Sequence, residues 1–256
     1  MIHAIFSDWN GTLFEYPTAE PENRKIAYSI RNDAKNAVLR GKFWRVADFA
    51  KLLKTKKEVE KRLKQYHDGN IHLWKVYEPF NEKILKGRPV TFINSVIDEF
   101  ARENADKVDG RIIRPIKNAH SDGKKTGILS VSYDYVISRT LEEAGFPDAF
   151  DVIVSNILKT DGDKAIGLTF DIYGRKKEVF EKEFFRNKML GEGLTKDNVL
   201  YLGDSEDDEP IADLLAPGNF IVPFFATDEF KQELASKYEA FVPEDESDLD
   251  NYFKKR

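Results

Sequence analysis

Apolar residues along this chain follow two rhythms. Residues 2–7, Thr126 to Val131, Val152 to Val154, and Val199-Leu200-Tyr201-Leu202-Gly203 are short continuous apolar runs, several of them bounded by Asp. Runs of that length without polar alternation predict strands buried on both faces, as in a parallel sheet. Phe220 to Phe225 predicts a last strand of the same kind. Between these runs the period changes: Lys176 to Leu190 places Val179, Phe180, Phe184 and Phe185 on one helical face. Strand and helix therefore alternate, which predicts an α/β fold with a parallel sheet. Ile157 to Phe170, two β-like runs around Asp161-Gly162, predicts a hairpin extending from the sheet edge.

The alternation stops over residues 16–115. This span is rich in Lys and Glu, and its apolar residues (Phe43, Val46, Phe49, Leu52, Leu53) recur at helical spacing. It predicts a helical domain inserted into a core made of residues 1–15 and 116–256. Pro17, Pro21 and the pair Arg114-Pro115 serve as boundary punctuation, because proline restricts its own φ and the residue before it.

A chain of 256 residues can bury a substantial core. With 41% hydrophobic and 33% charged residues it reads as globular and charge-rich rather than disordered. A formal net charge of -5 argues against a general nucleic-acid partner, since binding to phosphate backbones needs clustered positive charge. There is no cysteine, so any metal site must use oxygen or His. His67 and His72 do not share a helix face and predict no ligand pair. Met1 leads directly into a strand-like run without a basic leader, and the longest apolar stretches, such as Phe220 to Ala226, are far too short to span a membrane. The expectation is a soluble, cytoplasmic protein.

Ligands of open α/β sheets sit beyond the carboxyl ends of the strands, so the residues that follow the strand runs carry the chemistry. Strand one delivers Asp8 to Thr12, the run ending near Val131 delivers Ser130 and Ser132, a helix start delivers Lys176, and the run at 199–203 delivers Asp204, Ser205 and Asp208. Carboxylates on neighbouring strands repel one another unless a cation lies between them, and a hard oxygen site with room for water suits Mg²⁺. The set fits phosphoryl transfer, with Asp8 attacking phosphorus and Lys176, Ser130 and the backbone N–H groups of the Trp9 to Thr12 turn meeting the phosphate oxygens. Ser130 is preferred over Ser132, which fits a helix N-cap. Lys176 is preferred over Arg175 and Lys177 because it is in register with the apolar face of its helix.

The segments Asp8-Trp9-Asn10-Gly11-Thr12-Leu13, Ser130-Val131-Ser132, Lys176 ahead of Glu178-Val179-Phe180, and Gly203-Asp204-Ser205-Glu206-Asp207-Asp208 resemble the four ordered motifs of the haloacid dehalogenase-like (HAD) hydrolase superfamily. The resemblance covers nearly the whole chain. Leu85-Lys86-Gly87-Arg88-Pro89-Val90 resembles a cap segment of the phosphoserine-phosphatase-like branch. Such a resemblance implies a Rossmann-like three-layer core with a helical C1-type cap inserted between the first and second motifs. It also implies a Mg²⁺-dependent phosphatase acting on a small phosphorylated substrate. In it Asp8 would be the phosphorylated nucleophile and a metal ligand, the Asn10 backbone carbonyl a second ligand and Asp204 a third. Asp208 would support the metal's waters or Lys176, while Gly11, Thr12 and Ser130 would meet the phosphate.

The chain departs from the family at Asn10, where phosphatases of this kind carry the Asp that protonates the leaving group. An amide can donate a hydrogen bond but cannot take up and return a proton, and general acid–base help is typically worth ~10² to 10⁴ in rate. Three readings follow: a slow or specialised phosphatase, an engineered Asp replacement, or a chemistry that does not use this acid. The last includes a phosphonatase-like C–P hydrolase, which carries a Trp like Trp9 and needs a cap lysine, with Lys42, Lys51 and Lys54 as candidates. A non-hydrolytic phosphate-binding protein is a further alternative.

Lys51 to Lys64 holds seven basic and two acidic residues and reads as a solvated helix face, though it could also steer an anionic substrate. Glu206 and Asp207 read as solvated loop acids, and Glu244 to Asp250 as solvated surface. Trp9, Trp44 and Trp74 read as packing residues, although Trp44 could also face the cleft between the domains.

Overall fold

The apolar runs do become a central parallel sheet. In a computed structural model, which describes residues 1–16, 18, 20–40, 46–68, 70–71, 73–169 and 171–256, seven strands occur among the described residues. They are β1 (Ala4–Ser7), β2 (Lys125–Tyr133), β3 (Val152–Asn156), β4 (Leu158–Asp161), β5 (Lys164–Leu168), β6 (Val199–Leu202) and β7 (Phe220–Ile221). Five form one sheet in the order β3-β2-β1-β6-β7, with every pairing parallel, while β4 and β5 form an antiparallel hairpin. The central strand is β1, which pairs Ala4 with Lys125 on one side and with Val199 on the other.

The helices are α1 (Glu20–Leu39), α2 (Val46–His67), α3 (Leu73–Phe80), α4 (Val90–Asn104), α5 (Gly110–Ser121), α6 (Asp134–Glu143), α7 (Lys176–Phe180), α8 (Glu209–Ala212), α9 (Asp228–Tyr238) and α10 (Glu246–Lys255). Alternate strand residues point to opposite faces, and each face has its own core. Ile5, Ile128, Leu200 and Leu202 pack toward Ile112, Ile113 and Ile116 of α5, Ile137 of α6, and Leu249 and Phe253 of α10. Phe6, Leu129 and Tyr201 pack toward Phe180 and Phe184 on the α7 side and Phe230 and Leu234 of α9. The result is the expected three-layer α/β core, joined by a helical segment between β1 and β2.

Several local expectations change. The last strand stops at Ile221, two residues before Pro223, which has no N–H to give a ladder. The helix from Lys176 passes into a π-helical turn at Glu181–Arg186 and ends before Leu190. That turn keeps Phe180 and Phe184 buried together at 5.3 Å between ring centroids.

Pro115 is not a break in the chain's secondary structure. It lies inside α5, which starts at Gly110 with the Asp109 side chain capping the Arg111 N–H, so this helix runs across the expected boundary at 115/116. The acidic segment near residue 246 is structural: Asp245 caps α10, Glu246 pairs with Arg114, and Leu249 is fully buried. On α2, Lys51, Lys54, Lys56, Lys57, Lys61 and Lys64 are exposed, as a solvated face requires. Leu52 is half-buried and Leu53 exposed. Pro17, Lys42, Phe43, Trp44 and His72, and the side chains of Val46, Phe49, His67 and Trp74, lie outside what is described.

The β4–β5 hairpin is a clasp between the core and the helical insert. Gly87 N–H donates to the Ala165 carbonyl at 2.7 Å, Val90 N–H to the Asp163 carbonyl at 2.7 Å, and Ala165 N–H to the Arg88 carbonyl at 2.8 Å. The buried Asn81 side chain completes it, accepting from Leu168 N–H at 2.7 Å and donating to its carbonyl at 3.1 Å.

Candidate active site

The carboxyl ends of β1, β2 and β6 meet where the sequence places its acids. β1 ends at Ser7, and Asp8 N–H continues the sheet by donating to the Leu202 carbonyl at 2.9 Å, which fixes the first turn after the strand. Trp9 is fully buried and stacks on Phe14 at 5.0 Å, so it holds that turn from the core side. Gly11 has φ +74°, a conformation that costs an L side chain strain. A Cβ there would lie 2.1 Å from Asp204 Oδ2, so only glycine lets the two loops approach this closely. Its N–H is spent within the turn, donating toward the Phe14 carbonyl at 2.8 Å.

Lys176 is the hub. Its ammonium is 3.0 Å from Asp8 Oδ2 and 2.7 Å from Asp208 Oδ1, with all three side chains buried. Burial lowers the affinity of Lys176 for its proton, but Asp208 and Asp8 outweigh it and hold the pKa above the usual lysine value. The rivals are placed elsewhere: Lys177 pairs with Asp213 and Arg175 with Glu178, both at the surface.

Asp208 is held by the protein through both of its oxygens. Its Oδ1 accepts from Lys176 and, at 2.8 Å, from the Tyr201 hydroxyl, while its Oδ2 accepts from Ser205 at 2.9 Å. Asp204 accepts from Thr12 Oγ1 at 2.6 Å. Thr12 thus orients a carboxylate in this structure. Glu206 and Asp207 are exposed, as expected.

Asp8 Oδ1 is buried and has no hydrogen-bond partner among the described residues. Burial pushes the Asp8 carboxyl up, Lys176 pulls it back, and Asp208 and Asp204 push it up again. Burial and then Asp208 raise Asp204 to about 7, against the Thr12 hydrogen bond. Asp8, Asp204 and Asp208 each offer an oxygen within 4.8 Å of the others. An acid cluster this crowded, with one oxygen unpartnered, fits a small hard cation that takes oxygen ligands. The donor set therefore suits Mg²⁺.

The serines divide their work differently from the expectation. α6 begins at Asp134 with Tyr133 as its N-cap and no side-chain cap, so Ser132 is not capping it. The Ser132 hydroxyl instead donates to Asn10 Oδ1 at 2.6 Å, and the Ser132 N–H donates to Ser130 Oγ at 3.1 Å. That bond leaves the proton of the Ser130 hydroxyl available to a ligand. With its carbonyl oxygen held by Ser132, Asn10 has its amide N–H groups left to donate.

Sequence reasoning missed Tyr201 as a support of Asp208, and it missed Glu22. Glu22 is 6% exposed although it lies in the first turn of α1, and burial pushes its carboxyl up to about 8. The available signal was its register: Glu22, Ile26 and Ile30 recur every four residues, and all are buried.

No family model and no curated protein matches the chain by sequence. Solved structures do match by fold. A substrate-bound phosphoserine phosphatase complex aligns with a TM-score of 0.60 at 17% identity, covering 98% of each chain. Cytosolic 5′-nucleotidase IIIB bound to cytidine gives a TM-score of 0.61 at 16% identity, over 99% of this chain and 86% of the other. A phospho-aspartyl intermediate analogue of phosphoserine phosphatase gives 0.53 at 17% identity, over 94% and 92%. The chain thus has the fold of the phosphoserine-phosphatase-like HAD hydrolases.

Proposed function

We propose that the chain is a Mg²⁺-dependent phosphomonoester hydrolase that carries the phosphoryl group on Asp8 and acts on a small phosphorylated substrate. The observation that carries this reading is the Asp8 carboxylate, part of the acid cluster: Oδ2 is held by Lys176 while Oδ1 is buried and has no partner among the described residues. A carboxylate fixed by one oxygen presents the other as a nucleophile in a set direction. That two fold neighbours are phosphoserine phosphatases, one of them described as a phospho-aspartyl intermediate analogue, supports the same chemistry here.

Asp8, the Asn10 backbone carbonyl and Asp204 are the residues that would hold Mg²⁺, whose charge offsets that of the phosphate facing a carboxylate nucleophile. Asp208, with both oxygens engaged by Lys176, Tyr201 and Ser205, would orient Lys176 and support the metal's waters. Lys176 and the Ser130 hydroxyl meet the non-bridging phosphate oxygens. Lys51 and Lys54 are exposed on α2 and Trp9 is packed in the core, so no described feature favours a phosphonatase. The test is hydrolysis of p-nitrophenyl phosphate with Mg²⁺. Activity should disappear with EDTA and in Asp8→Ala, and acid quench of the unaltered protein should trap a phosphoprotein absent from that variant. Equal hydrolysis by the two proteins would sink the proposal, and phosphate binding without turnover would mark a binding protein instead.

A further inference from the structure

The lysines of α2 take no part in the phosphate site. Lys51, Lys54, Lys57, Lys61 and Lys64 follow one another at spacings of three or four residues, so they form one stripe along the helix. All five are exposed, and none pairs with an acid among the described residues. The stripe is about 20 Å long at the helical rise of about 1.5 Å per residue. The other side of α2 faces inward: Thr55 is buried there, Glu58 pairs with Arg62 and Lys83, and Arg62 pairs with Glu78.

A face that only meets water ordinarily interleaves its charges, because like charges three or four residues apart repel and opposite ones attract. The chain does this elsewhere: Lys56 faces Glu60, Lys188 faces Glu192, and Lys254 faces Asp250, each four residues apart. The stripe instead keeps like charges next to one another over its whole length. It also belongs to a wider separation of charge. Residues 20–88 hold 18 Lys and Arg against 9 Asp and Glu, whereas the rest of the chain holds 22 against 36. The formal net charge of -5 therefore averages a basic insert and a strongly acidic core.

We propose that the lysine stripe of α2 docks the protein on an anionic lipid surface. The partner of such a stripe must carry dense negative charge, meet five side chains along a convex helix at once, and accept charge without directional bonds. An anionic leaflet does all three, and each lysine close to it multiplies partitioning by about fivefold.

Leu53 separates a lipid surface from a charged polymer. It is 51% exposed beside Lys56 and Lys57, and an apolar side chain next to a basic stripe enters the acyl boundary of a bilayer. The stripe itself has no arginine to fork on a phosphodiester and no aromatic ring to stack on a base. Docked in this way, the protein turns its acidic core away from headgroups of the same sign. Tyr66, on the inward side of α2, lies within reach of the charges of Asp207 and Glu206. Contact through the outer side therefore leaves the loop after β6 uncovered.

Sedimentation of the full chain with vesicles tests this. The protein should pellet with phosphatidylcholine vesicles that contain phosphatidylserine and stay in solution with phosphatidylcholine alone. It should dissociate as salt shortens the screening length from about 10 Å at 0.1 M to about 3 Å at 1 M. Lys51→Gln, Lys54→Gln, Lys57→Gln, Lys61→Gln and Lys64→Gln together should lower partitioning at least ~10²-fold. Urea stability should not fall, because the change relieves repulsion. Lys117→Gln, Lys125→Gln, Lys159→Gln, Lys196→Gln and Lys255→Gln, all exposed on the core, change the net charge equally and should leave partitioning nearly unaltered. The chain has no cysteine, so a polarity-sensitive dye on Leu53→Cys reports from one place and should shift to the blue only with the anionic vesicles. Failure to bind anionic vesicles at low salt, equal losses in the two five-lysine variants, or a dye that stays in water would overturn the proposal. Tighter stripe-dependent binding to a duplex oligonucleotide or to polyglutamate than to the vesicles would overturn it in favour of a nucleic acid or an acidic protein.

Discussion

Gly11→Ala is the sharpest single probe of how the site is assembled. The new methyl would start 2.1 Å from Asp204 Oδ2 and 2.7 Å from its Cγ, on a backbone with φ +74°. The left-handed conformation costs roughly 1–2 kcal/mol for a residue with a Cβ. The clash adds to this, because Asp204 must swing away and give up its 2.6 Å bond from Thr12, and hydrogen bonds to charged groups contribute about 1.5–3 kcal/mol. Together the losses come to about 2.5–5 kcal/mol, a large share of ordinary stabilities of about 5–15 kcal/mol yet short of unfolding most domains. Urea unfolding in EDTA measures the first effect. Titration of Mg²⁺ against activity or heat measures the second, where displacing Asp204 should raise the half-saturating concentration at least tenfold. A variant within about 0.5 kcal/mol of the parent, with unchanged Mg²⁺ titration, would refute the close-approach argument.

Two further outcomes follow from the same structure. Asp204 stands at about 7 in the fold against 3.8 for an ordinary aspartate, so the native state binds more protons than the unfolded chain between those limits. Metal-free stability should therefore fall as pH rises through that window, by at most about 4 kcal/mol at ~1.4 kcal/mol per unit. Mg²⁺ selects the carboxylate, so its increment in Tm should be larger at pH 8 than at pH 5; equal increments would count against a metal at these acids. Phe184→Ala empties a fully buried position 4.1 Å from the Phe6 ring. Unfolding experiments should show a loss of about 3–5 kcal/mol, and a loss below about 1 kcal/mol would show that the π-helical turn is not what holds β1 on this side.

The sequence was most legible where chemistry and periodicity coincide. Asp8, Asp204 and Lys176 each follow or begin a strongly patterned element, and all converge. What stayed hidden depends on which partner each polar group finds across the fold. Ser132 looks like a cap from its neighbours, but β2 runs on to Tyr133 and carries its hydroxyl to Asn10, 122 residues away. Glu22 looks like an ordinary first-turn acid until the insert docks and buries it. Pro115 suggested a boundary because proline often ends helices, yet the cap at Asp109 starts α5 early enough to enclose it. The segment near Glu246 is acidic enough to suggest solvent, and only the buried Leu249 and Phe253 show that it docks.

The central position of β1 has a consequence for how the molecule reaches its native state. Residue 4 pairs with 125 on one flank and 199 on the other, so the strand that carries Asp8 finds both neighbours only after very long loops have closed. Such non-local pairing slows folding and makes partly formed intermediates common in chains of this size. The acid cluster joins the ends of β1 and β6 and cannot exist before that pairing. Mg²⁺ should accordingly slow unfolding by binding the finished protein while leaving the refolding rate nearly unchanged.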